Sequence, residues 1–183
     1  HHPIVLTRTY PRGSRIDSSN YDPFLAWTGG CQRVALNYQP SGLPMWSNHA
    51  LFSDNGGCGY ILKPAWMIAG QDPPEEKHTL VVRVISAARL PSQVTDITDP
   101  FVDIKLTGHP VDTMLNVGRT KVVQDNAWCP EWDETFEVTV RVKEMAILHF
   151  VIWDHDTMKS NDFVASGAVC LAGLRPGMHA LSL

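Results

Sequence analysis

Six aspartates in the second half of the chain fall between apolar stretches rather than within them. Asp96 and Asp99 precede a run that begins at Phe101, and Asp125 follows one that ends near Gln124. Asp154, Asp156 and Asp162 follow a run that ends at Trp153. If the apolar stretches are strands of an antiparallel sandwich of suitable topology, the three loops emerge at one end and crowd their carboxylates together. Like charges at that spacing repel, and calcium relieves the repulsion by taking about six to eight oxygens from carboxylates and carbonyls in a flexible geometry. A linear EF-hand does not fit Asp154-His155-Asp156, because the sixth position is Lys159 instead of Gly and the twelfth is Ala165 instead of Glu. Asp-x-Asp also serves metal-dependent transferases, but nothing here suggests a nucleotide-sugar fold. Any one of these aspartates alone reads as a solvated loop residue; the set of three loops is what points to a metal.

Arg8 and Tyr10 carry the other chemistry. An Arg grips a phosphate bidentately, and a Tyr ring offers an apolar face to a sugar-like ring. Taken singly, Arg8 reads as a surface residue and Tyr10 as a core one. Asn55-Gly56-Gly57 and Gly59 read as tight turns that need positive φ. They are no phosphate loop, since no Gly-Lys-Ser/Thr follows. Asp17-Ser18-Ser19 reads as a local Asx turn instead of a nucleophile.

The elements that would hold these residues divide the chain in two. Gly70 to His78, with Pro73, Pro74 and several charges, reads as a linker. Beyond it, period-2 alternation predicts strands over Leu80–Ile85, at Val102, Ile104 and Leu106, over Arg119–Val123 and along Phe136, Val138, Val140 and Val142. Further strands are predicted at Leu148, Phe150 and Ile152, over Phe163–Val169 and over His179–Leu183. Seven short strands with no convincing helix describe an antiparallel β-sandwich. Before the linker, Ile4–Thr9 and Cys31–Leu36 read as buried strands, with a short helix near Pro23–Trp27. Such strands joined by crossovers suit a parallel α/β sheet, which two or three strands cannot close. A (β/α)8 barrel takes about 250 residues, so residues 1–69 are expected to be the tail of something larger.

Composition narrows the function. The 183 residues are 44% apolar and 19% charged, an ordinary globular balance. No apolar run approaches a membrane span of ~18 residues. His1-His2 reads as a tag remnant with no assigned role. Cys31, Cys58, Cys129 and Cys170 are widely spaced, which suits buried free thiols in a reducing cytosol better than zinc or a disulfide scaffold. Residues 71–183 carry ten Lys/Arg against sixteen Asp/Glu. That balance excludes a nucleic-acid stripe and repels an anionic membrane unless something neutralises it.

Two sets of motifs carry a resemblance. Leu6 to Pro11, Asp17 to Tyr21, Gly30-Cys31-Gln32, Val34 to Asn37, Asp54 to Tyr60 and Leu62-Lys63-Pro64 resemble the Y half of the catalytic barrel of phosphoinositide-specific phospholipases C. Thr98 to Val102, Cys129-Pro130-Glu131-Trp132 and Trp153 to Phe163 resemble C2 domains, with a departure at Gln93, where many members have Asp. The resemblance implies the C-terminal part of a (β/α)8 TIM-type barrel over residues 1–69, a linker over 70–78 and a C2 β-sandwich over 79–183. Arg8 would lie at the barrel face where ligand-binding residues collect and contact a phosphate of the inositol headgroup, while Tyr10 packs on the inositol ring. Asp99, Asp125, Asp154 and Asp156 would supply carboxylates to calcium, Ile97 and His155 backbone carbonyls, and Asp162 a further ligand.

The family's general acid, general base and catalytic calcium ligands lie in the X half, and none of the eight histidines here matches their context. No catalytic residue is therefore expected in this chain. The implied partners are a phosphoinositide lipid and an anionic membrane surface, and the implied location is cytoplasmic with peripheral membrane association. Two functions follow: part of an enzyme that cleaves phosphatidylinositol 4,5-bisphosphate to diacylglycerol and inositol trisphosphate, or a non-catalytic, calcium-regulated membrane adaptor.

Overall fold

The computed structural model describes residues 5–91, 97–157 and 159–183. Ile4, Gln93 and Asp96, named in the sequence reading, lie outside the described residues, as do His1 and His2.

The first unit is built on two short parallel strands, β1 (Arg8–Thr9) and β2 (Arg33–Val34). Both are shorter than the sequence suggests. The Gln32 side chain takes over part of the pairing, accepting the Thr7 N–H at 2.8 Å and donating to the Val5 carbonyl at 3.2 Å. The short helix expected near Pro23 is present as α1 (Phe24–Thr28). A longer helix, α2 (Leu43–Ser53), and a single turn, α3 (Ala65–Ile68), were not foreseen. Pro44 sits in the first turn of α2, where a missing N–H costs nothing. Its buried residues are Met45, Ser47, Ala50 and Leu51, and the polar Ser47 breaks the apolar stripe that would reveal a helix in the sequence. Asn55, Gly56, Gly57 and Gly59 all have positive φ, as the turn reading requires.

The second unit is an antiparallel sandwich. β3 (His78–Ser86) pairs with β6 (Glu131–Val140), facing a sheet ordered β5 (Met114–Arg119), β4 (Pro100–Thr107), β7 (Ile147–Asp154), β8 (Asp162–Cys170). Two strand expectations fail. The strand expected at Arg119–Val123 ends at Arg119, although Thr120 and Val123 still donate their N–H groups to the Val102 and Pro100 carbonyls at 3.0 Å. Residues 179–183 form no strand; Leu181 and Leu183 lie against Gly167 of β8, close enough that a Cβ there would touch both. They pack by side chain without joining a ladder.

One face of the four-stranded sheet, with Val102, Ile104, Leu106, Leu148 and Ile152, packs on Trp132, Val138 and Val140 of β6 and on Leu80, Val82 and Val84 of β3. The opposite face is buried too. Ile147 and Cys170 join Val142 and Met145 in a cluster with Phe24, Trp27, Ala50 and Leu51 of the first unit. On the same face of β7, two residues from Ile147, lies His149, fully buried, whose Nε2 is 2.7 Å from Thr107 Oγ1 and 3.3 Å from Ser47 Oγ on α2. The two units therefore share a core, which the linker reading does not anticipate. All four cysteines are free, as expected, but only Cys170 is buried; Cys58 and Cys129 are exposed.

Candidate functional site

Strand register brings the acidic loops together. β4 pairs with β7 so that Pro100 faces Asp154, and β7 pairs with β8 so that Asp154 faces Asp162. Asp99, one residue before β4, therefore lies at the same sheet end as both. Hydrogen bonds tie the loops: Asp154 Oδ1 accepts the Asp99 N–H at 2.7 Å, and Asp99 Oδ1 accepts the Asp125 N–H at 2.7 Å. The His155 N–H donates to the Asp99 carbonyl at 3.1 Å. Asp125 adopts φ 52°, a left-handed conformation that Asp tolerates better than most residues. The Cys129–Trp132 turn supports this end. Asn126 bonds both the N–H and the carbonyl of Cys129, and the buried Trp132 donates to the Pro100 carbonyl at 3.1 Å.

In the third loop, Asn161 Oδ1 accepts the Asp156 N–H at 3.1 Å. Asp156 Oδ2 is shielded from solvent and has no hydrogen-bond partner, and the Lys159 ammonium is 3.4 Å from it. The same ammonium lies 2.8 Å from Asp162 Oδ2. The hydrogen bond to Asp162 and the charge of Asp156 hold Lys159 above its ordinary pKa. Ile97 is exposed at 67% on the first loop. Among the described residues, no three His, Cys, Asp or Glu side chains converge closely enough to hold a metal ion. The carboxylates instead share backbone N–H groups and one ammonium, which offset their mutual repulsion.

Arg8 and Tyr10 meet at the end of β1, with the guanidinium carbon 4.3 Å above the centre of the tyrosine ring. Both side chains are exposed. Behind them the motif residues act as braces. The Tyr21 hydroxyl donates to the Ala35 carbonyl at 3.0 Å and lies 2.7 Å from Thr9 Oγ1. Asn20 and Asn37 exchange a reciprocal pair of bonds at 2.8 and 2.7 Å. Asp17 accepts the Ser19 N–H, closing the Asx turn and lowering its own pKa.

The sequence reading missed Lys159 and the Ser47–Thr107–His149 contact. Lys159 was noticed only as a misfit to the EF-hand. Its i,i+3 spacing from both Asp156 and Asp162 was the available signal.

Two family models match the chain. The model of the phosphatidylinositol-specific phospholipase C Y domain matches residues 1–66, and that of the C2 domain matches residues 78–180. The chain belongs to the phosphatidylinositol-specific phospholipase C family. It is 43% identical to the mouse 1-phosphatidylinositol 4,5-bisphosphate phosphodiesterase eta-1 over 94% of its length, covering 11% of that protein. It is 40% identical to the Dictyostelium discoideum 1-phosphatidylinositol 4,5-bisphosphate phosphodiesterase over 97% of its length, covering 24% of that protein. The crystal structure of L. pealei PLC21 superposes with a TM-score of 0.82 at 30% identity, across 96% of this chain and 23% of that one. The chain thus spans a quarter or less of these phospholipase C relatives. Among the described residues, no helix is long and apolar enough to cross a membrane.

Proposed function

We propose that this chain supplies the headgroup-binding side of a phosphoinositide phospholipase C and a calcium-dependent membrane dock. Residues 1–69 would form the C-terminal part of the (β/α)8 barrel, residues 70–78 the linker and residues 79–183 the C2 domain. The substrate is phosphatidylinositol 4,5-bisphosphate, cleaved to diacylglycerol and inositol trisphosphate by a protein that works at the cytoplasmic membrane surface. The observation that carries this reading is the strand-end pair. Arg8 stands over the Tyr10 ring at the C-terminal end of a parallel strand, the barrel face where ligand-binding residues gather. There a guanidinium can take a headgroup phosphate while the tyrosine ring flanks the inositol.

Calcium fits the opposite unit by the chemistry of its donors. Asp99, Asp125, Asp154, Asp156 and Asp162 would provide carboxylates, and Ile97 and His155 backbone carbonyls. The shielded Asp156 Oδ2 has only the Lys159 ammonium, at 3.4 Å, beside it, and a carboxylate oxygen so placed suits a cation. Bound there, calcium supplies positive charge that turns an acidic end towards anionic lipid. The exposed Ile97 is then free to enter the interface.

In the whole protein, Arg8→Ala should lower kcat/KM on phosphatidylinositol 4,5-bisphosphate about 10- to 100-fold, the value of a charged hydrogen bond. Turnover of plain phosphatidylinositol should change less than about threefold. Equal loss on both lipids would remove Arg8 from the headgroup site.

A further inference from the structure

The third loop carries its own cation. Lys159 is three residues from each of two aspartates, and its ammonium bridges Asp156 Oδ2 at 3.4 Å and Asp162 Oδ2 at 2.8 Å. Asp156 is largely buried, its side chain only 18% exposed, and the Lys159 ammonium is the polar group beside its Oδ2. The loop is also pinned from inside, because Asn161 accepts the Asp156 N–H. The backbone at Asp156 is therefore held in place whether or not the lysine engages the carboxylates. We propose that Lys159 is a tethered competitor for the cation site of the C2 loops, so that a divalent ion must displace its ammonium from Asp156 and Asp162 before it can bind.

This inference rests on the calcium reading above and deepens it. Two like charges cannot occupy one pair of carboxylates, so each calcium that binds there expels the lysine from both contacts and meets its residual repulsion. Lys159 would thus set the threshold of the site, raising the calcium concentration at which the acidic end becomes cationic. The stem of the displaced lysine leaves its charge on the same loop, beside any anionic surface that approaches.

The test is titration calorimetry with calcium chloride on the 183-residue chain. Four proteins are compared: wild type, Lys159→Gln, Lys159→Arg and Lys77→Gln. Lys77 is exposed in the linker, so its replacement removes the same charge at another place. The Lys159→Gln protein should bind calcium roughly five- to twentyfold more tightly than wild type, with the gap narrowing as salt is raised. The Lys159→Arg and Lys77→Gln proteins should stay within about twofold of wild type. Without calcium, Lys159→Gln should melt at a lower temperature than wild type, because Asp156 and Asp162 then face each other uncompensated. Calcium should reverse that deficit.

Binding by Lys159→Gln alone, with wild type silent, would also support the proposal. Equal affinities in wild type and Lys159→Gln would overturn it while leaving the calcium reading intact. An equal gain in Lys77→Gln would overturn it as well, by reducing the effect to net charge. Silence in all four proteins would sink both readings.

Discussion

Lowering the pH should loosen the shared core of the two units through His149. The imidazole is fully buried, with Nε2 2.7 Å from Thr107 Oγ1 and 3.3 Å from Ser47 Oγ, and its Nδ1 has no partner. Burial, reinforced by the Lys105 charge on β4, pushes its pKa from 6.5 down to about 4. The unfolded chain therefore binds a proton between pH 6.5 and 4 that the folded chain refuses. The associated stability is complete above the upper value and is lost as the pH falls through the window. At about pH 4.5 the loss from this one group is about 2.5 kcal/mol. The measurement is urea unfolding of wild type and His149→Gln at pH 7 and at pH 4.5. Carboxylates contribute equally to both proteins, so the difference between their pH responses isolates the histidine. Wild type should lose about 2.5 kcal/mol more than the variant over this interval. A direct check follows the His149 ring resonances of wild type by NMR, which should titrate near pH 4. A midpoint between 6 and 7, or matching pH responses in the two proteins, would refute the reasoning.

Two further outcomes follow from the same geometry. Leu51→Ala on α2 opens a cavity where the helix meets Ile147 and Cys170 and should cost about 2–4 kcal/mol by chemical denaturation; a loss below about 1 kcal/mol would mean the helix does not share a core with the sandwich. Replacing Asp154 and Asp156 together with Asn should abolish calcium-dependent binding to anionic liposomes while leaving the far-ultraviolet dichroism unchanged, because Asn at position 154 still accepts the Asp99 N–H.

Much of the sandwich was legible because alternation is a local property. Val138 and Val140 are buried between the exposed Glu137 and Thr139, and that pattern survives in the bare sequence. The turn at Asn55-Gly56-Gly57 and Gly59 was legible for a similar reason, since clustered Asn and Gly are the residues that tolerate positive φ best. The aspartate loops could be assigned to one end once the strands were antiparallel, and the register that sets Asp99, Asp154 and Asp162 side by side follows from those pairings.

Other features depend on partners far away in the chain. Nothing local marks α2 as a helix, because its buried face includes Ser47, whose hydroxyl meets Thr107 and His149 more than fifty residues on. For the same reason β4 reads as a strand with one apolar face, although Phe101 and Thr107 on its other face are also buried. The tail at 179–183 has an apolar pattern fit for a strand, but Leu181 and Leu183 settle against the bare backbone of Gly167 instead. The sequence alone determined which residue types line each element and which loops are acidic, since those depend on neighbours one to four residues apart. Only the tertiary structure decided that the two units share a core and that His149 of β7 meets Ser47 of α2, because burial and long-range pairing depend on what the rest of the chain brings near.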